Sequence, residues 1–310
     1  MQTPQRIDVH GLSVQGDRHR NNHDHFAIAT LNKSMRLHQS NLTIDDETRM
    51  LGHNQGHLFL VADGISAGPA PARASGTAVD SVVQYFLNEM PWYHLADGAP
   101  EDVTIALEDA LRNAQEELRR SATREQAGLG TTMTLAFVFW PHLYVAHAGD
   151  SRCYLSRGDE LRQLTTDHTV AEVRRDSGLR PDDADESVLW NAVGGHEPGL
   201  HPEVRHARLY PGDKLVLVTD GVLRERPPEE LASLVHEATH AEDLCGRLVF
   251  GSGEDDRTAI VVRFPRKEET VAGQAEKLVL PSLVGRAPEP REPEHVRVGK
   301  QERSRWRAAQ

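Results

Sequence analysis

The apolar positions of this chain are gathered into short runs, and two of those runs end in the same way. Leu58, Phe59, Leu60, Val61 and Ala62 form an unbroken apolar stretch, with the length and composition of a strand covered on both faces. It stops at Asp63-Gly64. Lys214 to Val218 is a second such run, and Thr219-Asp220-Gly221 closes it as Ala62-Asp63-Gly64 closes the first. Further strands are predicted at residues 6–15, 25–30, 133–140, 143–147, 153–156, 161–164, 203–209 and 259–264. Helical spacing takes over at residues 73–90, where Ala78, Val79, Val82, Val83 and Phe86 face one way behind Pro71. A second stripe, Val103, Ala106, Leu107, Ala110, Leu111, Ala114 and Leu118, predicts a helix over residues 101–122. Shorter helices are predicted at residues 170–176, 228–239 and 242–250, and a polar loop at 180–186. Residues 31–56 carry no clear period and read as an irregular excursion before the central strand.

The pattern changes at Pro265. Residues 266–310 mix charges of both signs and hold four prolines between Pro281 and Pro293, a composition that does not build a core. The reading is one domain over residues 1–265 and a flexible tail over 266–310. Composition narrows the partners. A formal charge of -12, from 35 Lys and Arg against 47 Asp and Glu, opposes binding to nucleic acid or to an anionic membrane. Cys153 and Cys245 are too few for a disulfide framework and lack the short spacing of a zinc site. The opening residues lack the apolar core of a signal peptide, and no run approaches membrane-spanning length, so a cytoplasmic location is expected.

The candidate chemistry lies at strand ends. Asp150 follows the apolar run at 143–147, Asp255 precedes the last strand, and Asp24 follows the turn Arg18-His19-Arg20-Asn21-Asn22-His23. A single Asp-Gly is most often an ordinary turn. Repeated carboxylates beside glycines that admit the backbone are instead the donor set of a hard cation.

Seven blocks follow one another over residues 7–264: GDRHRNNHD, VADG, GTTMT, AGDSR, LTTDHT, PGDKLVLVTDG and DDRT. In these the chain resembles the PPM-type metal-dependent phosphatases, the protein phosphatase 2C family, in its bacterial form. The resemblance implies an α+β fold, a four-layer α-β-β-α sandwich of two packed antiparallel sheets flanked by helices, with a metal cleft at one end. It implies that Asp63 bridges two Mn2+ or Mg2+ ions with the Gly64 carbonyl on one of them, and that Asp220 and Asp255 complete the other. Asp24 would hold metal-bound waters, and Asp150 would help Asp220 with a third, looser ion. The implied activity is hydrolysis of phosphoserine and phosphothreonine by direct attack of a metal-bridging water, held through the metals by Asp63 and Asp220, with no covalent nucleophile. The implied partners are a phosphorylated protein substrate and a cognate Ser/Thr kinase.

Several residues depart from the family's pattern. An arginine in the first turn is expected to grip phosphate. Counting forward from Gly16 gives Arg18, and counting back from Asp24 gives His19; Arg18 is preferred, with Arg20 nearby. His23 stands where glutamate is usual, and as a softer, neutral ligand it implies a second metal site that either binds more weakly or prefers manganese over magnesium. Ile65 stands where eukaryotic members carry a histidine acid, and Asp256 replaces an asparagine, adding charge beside the site. His236-Glu237-Ala238-Thr239-His240 spells a zinc-site string, but at the end of a short helix in a chain of 17 histidines it reads as coincidence. His168 is expected to be structural. Two rival functions remain at this stage, a degenerate binding module on the same fold and a small-molecule phosphohydrolase.

Overall fold

The computed structural model describes residues 7–35, 50–65, 70–90, 100–123, 128–194, 199–224 and 226–266, with side chains excepted at 33–35 and 50–55. The chain divides into two units, Met1–Val271 and Ala272–Gln310, and every described residue belongs to the first. The predicted tail lies outside the described residues, apart from Arg266.

In chain order the strands and helices are β1 (Asp8–Val14), β2 (Asp24–Met35), β3 (Met50–Asp63), α1 (Pro71–Asn88), α2 (Pro100–Ser121), β4 (Gly130–Thr131), β5 (Met133–Phe139), β6 (His142–Ala148), β7 (Arg152–Arg157), β8 (Glu160–Gln163), α3 (Val170–Asp176), β9 (Val193–Gly194), β10 (Glu203–Arg208), β11 (Lys214–Val218), α4 (Asp220–Leu223), α5 (Pro228–Glu237), α6 (Ala241–Val249) and β12 (Arg257–Arg263). One five-stranded antiparallel sheet runs β1-β12-β11-β7-β8 and a second runs β10-β6-β5-β3-β2. The short pair β4-β9 stands beside them.

The two apolar runs of the sequence are interior strands, and their side chains alternate between two cores. Phe59 and Val61 of β3 meet Leu215, Leu217, Ile260 and Val262 between the sheets. Leu58, Leu60 and Ala62 point the other way, onto Ala78, Val82 and Phe86 of α1 and Leu107 and Leu111 of α2. Val216 and Val218 of β11 likewise turn outward, onto Leu231 and Val235 of α5 and Leu244 and Leu248 of α6. A strand with both faces covered has no polar positions to alternate, which is why both runs are continuous. The result is the four-layer α-β-β-α sandwich.

The predicted elements agree with the observed ones to within a few residues, the short β4, β9 and α4 carry no prediction, and one expectation is corrected. Residues 31–56 are not wholly irregular: β2 continues to Met35 and β3 begins at Met50, paired antiparallel with a register shift between Asn32 and Ser34. Alternation marks a strand only where one face is buried, and Asn32 is already exposed. The polar loop at 180–186 also ends in a single 3-10 turn, Asp185–Ser187.

Phe59 is fully buried at the middle of the sheet interface. Phe59→Ala is expected to destabilise the domain by about 3–5 kcal/mol, the cost of a phenyl-sized cavity, read as a lower urea midpoint at constant slope.

Candidate metal centre

β3 and β11 are interior strands of different sheets, and their C-terminal ends carry Asp63 and Asp220 to one end of the sandwich. Asp24 opens β2 and is the direct cross-strand partner of Asp63. Asp150 lies in the loop from β6 to β7, and Asp255 in the loop before β12. Asp24 is buried and the other four are half-buried.

Small hydroxyl residues and close backbone contacts position these carboxylates. Thr131 Oγ1 and the Thr132 N–H donate to the Asp63 carbonyl at 2.7 and 2.8 Å, and the Asp63 N–H donates to Thr132 Oγ1 at 3.0 Å. Thr132 Oγ1 also meets Ser151 Oγ at 2.8 Å, which binds the GTTMT block to the AGDSR loop. Arg152 of that loop forks onto Asp167, with Nη2 2.6 Å from Oδ2, and the His168 N–H donates to the Gly149 carbonyl at 2.8 Å. Thr219 Oγ1 donates to Asp24 Oδ2 at 2.8 Å while accepting from the Thr258 N–H at 3.0 Å. Glycine is required at the turns themselves: a Cβ on Gly64 would lie 2.2 Å from the Pro71 carbonyl oxygen, and one on Gly221 would lie 2.0 Å from that of Asp256.

Crowding of like charge governs the electrostatics. Burial, then the charges of Asp24, Asp220 and Asp150, holds Asp63 well above the usual carboxylate range. Burial, with Asp220 and Asp256 nearby, pushes Asp24 up to about 7 against hydrogen bonds from Thr258 and Thr219. Burial, with Asp220 and Asp167, pushes Asp150 up to about 8. Asp220 recurs in each of these environments and so stands at the middle of the group. Two buried oxygens here, Asp24 Oδ1 and Asp220 Oδ1, have no hydrogen-bond donor. Acidic oxygens that converge, repel one another and lack donors suit divalent cations.

The first turn is held against the loop before β12. The Asp17 and Arg18 N–H groups donate to the Gly253 and Glu254 carbonyls, and Asp256 Oδ1 accepts from the Gly16 N–H at 2.8 Å. Asp256 Oδ2 accepts from the His23 N–H at 2.7 Å and lies 2.8 Å from His19 Nδ1. Asp256 is thus bonded into the turn, and its charge also adds to the repulsion felt by Asp24. The His19 and His23 rings stack at 4.0 Å, and with Asp256 they offer nitrogen and oxygen atoms close enough to share an ion. Burial and His19 lower the pKa of His23, favouring the neutral ring. Arg18 lies at the surface, paired with Glu254.

The zinc-site string does not form a site. α5 ends at Glu237, Ala238 is extended and His240 caps α6, so the two imidazoles do not share a helical face. His168 is bonded into the loops around it: its Nδ1 accepts from the Gly149 N–H and lies 2.9 Å from Asn191 Nδ2. Sequence reading missed Arg224. Its Nε and Nη2 donate to Asp220 Oδ2 at 2.9 and 2.5 Å, and its Nη1 lies 2.9 Å from Asp255 Oδ2. The available signal was its position four residues after Asp220, the spacing of neighbours on one helical face.

Residues 15–175 match the family model of protein phosphatase 2C. Serine/threonine protein phosphatase PstP of Mycobacterium tuberculosis is 29% identical over 251 residues, or 74% of this chain and 46% of that protein. The chain thus spans about half the length of the curated relatives it matches first. Among solved structures, serine/threonine phosphatase Stp1 of Staphylococcus aureus aligns with a TM-score of 0.68 at 19% identity, covering 86% of this chain and 98% of that one. The catalytic domain of PstP in complex with two manganese ions aligns at 0.62 and 22% identity, covering 84% and 99%. These structural likenesses establish the shared sandwich.

Raised carboxyl pKa values give the stability of the metal-free protein a definite sign. Between 3.8 and the folded values of about 7 for Asp24 and about 8 for Asp150, the native state keeps protons that the unfolded chain has lost. Stability therefore falls as pH rises through this window and levels off above it. In EDTA, the melting temperature is expected to drop by about 10 °C between about pH 5.5 and pH 8.5, with a smaller drop in Asp24→Asn and in the presence of Mn2+.

Proposed function

We propose that this chain, which belongs to the protein phosphatase 2C family, is a metal-dependent protein serine/threonine phosphatase acting on phosphoserine and phosphothreonine. The observation that carries the reading is the convergence of Asp24, Asp63, Asp150, Asp220 and Asp255 from both sheets, with two buried carboxylate oxygens left without donors.

In this reading Asp63, the Gly64 carbonyl, Asp220 and Asp255 would hold Mn2+ or Mg2+ ions, Asp24 would hold waters bound to them, and Asp150 with Asp220 would hold a third ion. When bound, such cations lower the pKa of a water towards neutrality and offset charge on the phosphoryl oxygens. The protein's part is to keep the oxygens aimed. Thr131 and Thr132 fix the end of β3, and Thr219 fixes Asp24. Arg18, exposed on the first turn, exchanges Glu254 for the substrate phosphate as a charge-assisted fork. Ile65 follows Gly64, so the leaving hydroxyl takes its proton from water. A neutral His23 beside the site favours manganese over magnesium.

The substrate is then a phosphorylated protein, and the opposing enzyme a Ser/Thr kinase in the same signalling circuit. No described helix is long and apolar enough to cross a membrane. A cytoplasmic setting belongs to this reading, and it suits the two buried free thiols Cys153 and Cys245.

The test is hydrolysis of a phosphothreonine peptide and of p-nitrophenyl phosphate with Mn2+, Mg2+ or EDTA. Turnover is expected with Mn2+ and to stop in EDTA, and Asp63→Asn and Asp220→Asn should each lose at least about 100-fold in kcat. An inert wild type in millimolar Mn2+, or variants as active as wild type, would sink the reading. Turnover of the small ester with none of the peptide would point to a small-molecule phosphohydrolase.

A further inference from the structure

The carboxylates of the centre already face one cation, and it belongs to the protein. Arg224 follows α4, one helical turn beyond Asp220. Its guanidinium forks across two acids carried by different segments: Asp220 Oδ2 receives Nε and Nη2, and Asp255 Oδ2 lies 2.9 Å from Nη1. Asp150 also acts on it electrostatically. Both acids belong to the proposed metal-binding set. The Arg224 side chain is 45% exposed, so it has a path out of the cleft.

We propose that Arg224 is a built-in competitor of the metal ions, a latch across Asp220 and Asp255 that divalent cations must displace. The inference rests on the metal-centre reading above. Its physical basis is twofold. An N–H within hydrogen-bond distance occupies a lone pair that an ion would need, so the fork takes two lone-pair sites of Asp220 Oδ2 and one of Asp255 Oδ2 away from coordination. A guanidinium and a divalent ion held a few ångströms apart also repel, and in a half-enclosed cleft water screens that repulsion only in part. Without metal, the latch supplies a guanidinium counter-charge to Asp220 and Asp255. Arg224 therefore raises the metal concentration at which the centre fills. Lysine in its place would keep the charge without the planar fork and would bridge the two acids poorly.

The test is calorimetric titration of the full chain with Mn2+ for wild type, Arg224→Ala and Arg224→Lys, beside thermal unfolding of each in EDTA. Arg224→Ala is expected to bind the weaker Mn2+ about tenfold more tightly, on the scale of one charge-assisted hydrogen bond, with Arg224→Lys in between. In EDTA the alanine variant is expected to melt below wild type, because its acids have lost their counter-charge. Equal or weaker Mn2+ binding by Arg224→Ala, with clear uptake by wild type, overturns the latch and leaves the metal centre standing. No uptake by either protein overturns both. Uptake by the alanine variant alone is the strongest outcome in its favour.

Discussion

Five carboxylates held within one cleft repel one another, and the rest of this structure is arranged to bear that repulsion. Burial and mutual charge raise Asp24, Asp63 and Asp150 above the range of ordinary carboxylates. Such a cluster is unfavourable by itself, so it persists only on a scaffold stable enough to carry it. The scaffold here is the double sheet. β3 and β11 are covered on both faces, and their ends are consequently among the best-anchored positions in the fold. Asp63 and Asp220 sit at those two ends.

Around the anchors, the short blocks of the sequence turn out to be contacts with one another. GTTMT bonds to VADG through Thr131 and Thr132, and to AGDSR through Ser151. AGDSR bonds to LTTDHT through the Arg152–Asp167 fork and the Gly149–His168 pair. The last block, DDRT, ties down the first turn through Asp256 and backs Asp24 through Thr258 and Thr219. Threonine and serine suit this work because one hydroxyl both donates and accepts, and so can join two backbones without adding charge to an acidic site.

Three residues at which the chain departs from the family's pattern form a neighbourhood of their own. His19, His23 and Asp256 touch one another, whereas the sequence presents them as separate substitutions. Asp256 accepts two backbone N–H groups and faces a ring nitrogen, so it ties down the turn while its charge still bears on Asp24. Arg224 is a further local feature, and it brings positive charge directly onto two of the central acids.

The buried strands and the aspartates at their ends were legible in the sequence, and the layered class followed only from the resemblance that the seven blocks carry. The first two depend on local pattern: a strand covered on both faces must be apolar throughout, and a turn that crowds another backbone must be glycine. The paired ends of β2 and β3 were not legible, because residues 32–35 and 50–55 carry no alternation of apolar and polar residues. Nor was the occupation of Asp256 by the first turn, or the Arg224 fork. Those join residues such as Gly16 with Asp256 and Arg224 with Asp255, far apart in the chain. Which donor meets which acceptor across such distances is decided by how the two sheets pack, and only the tertiary structure shows it.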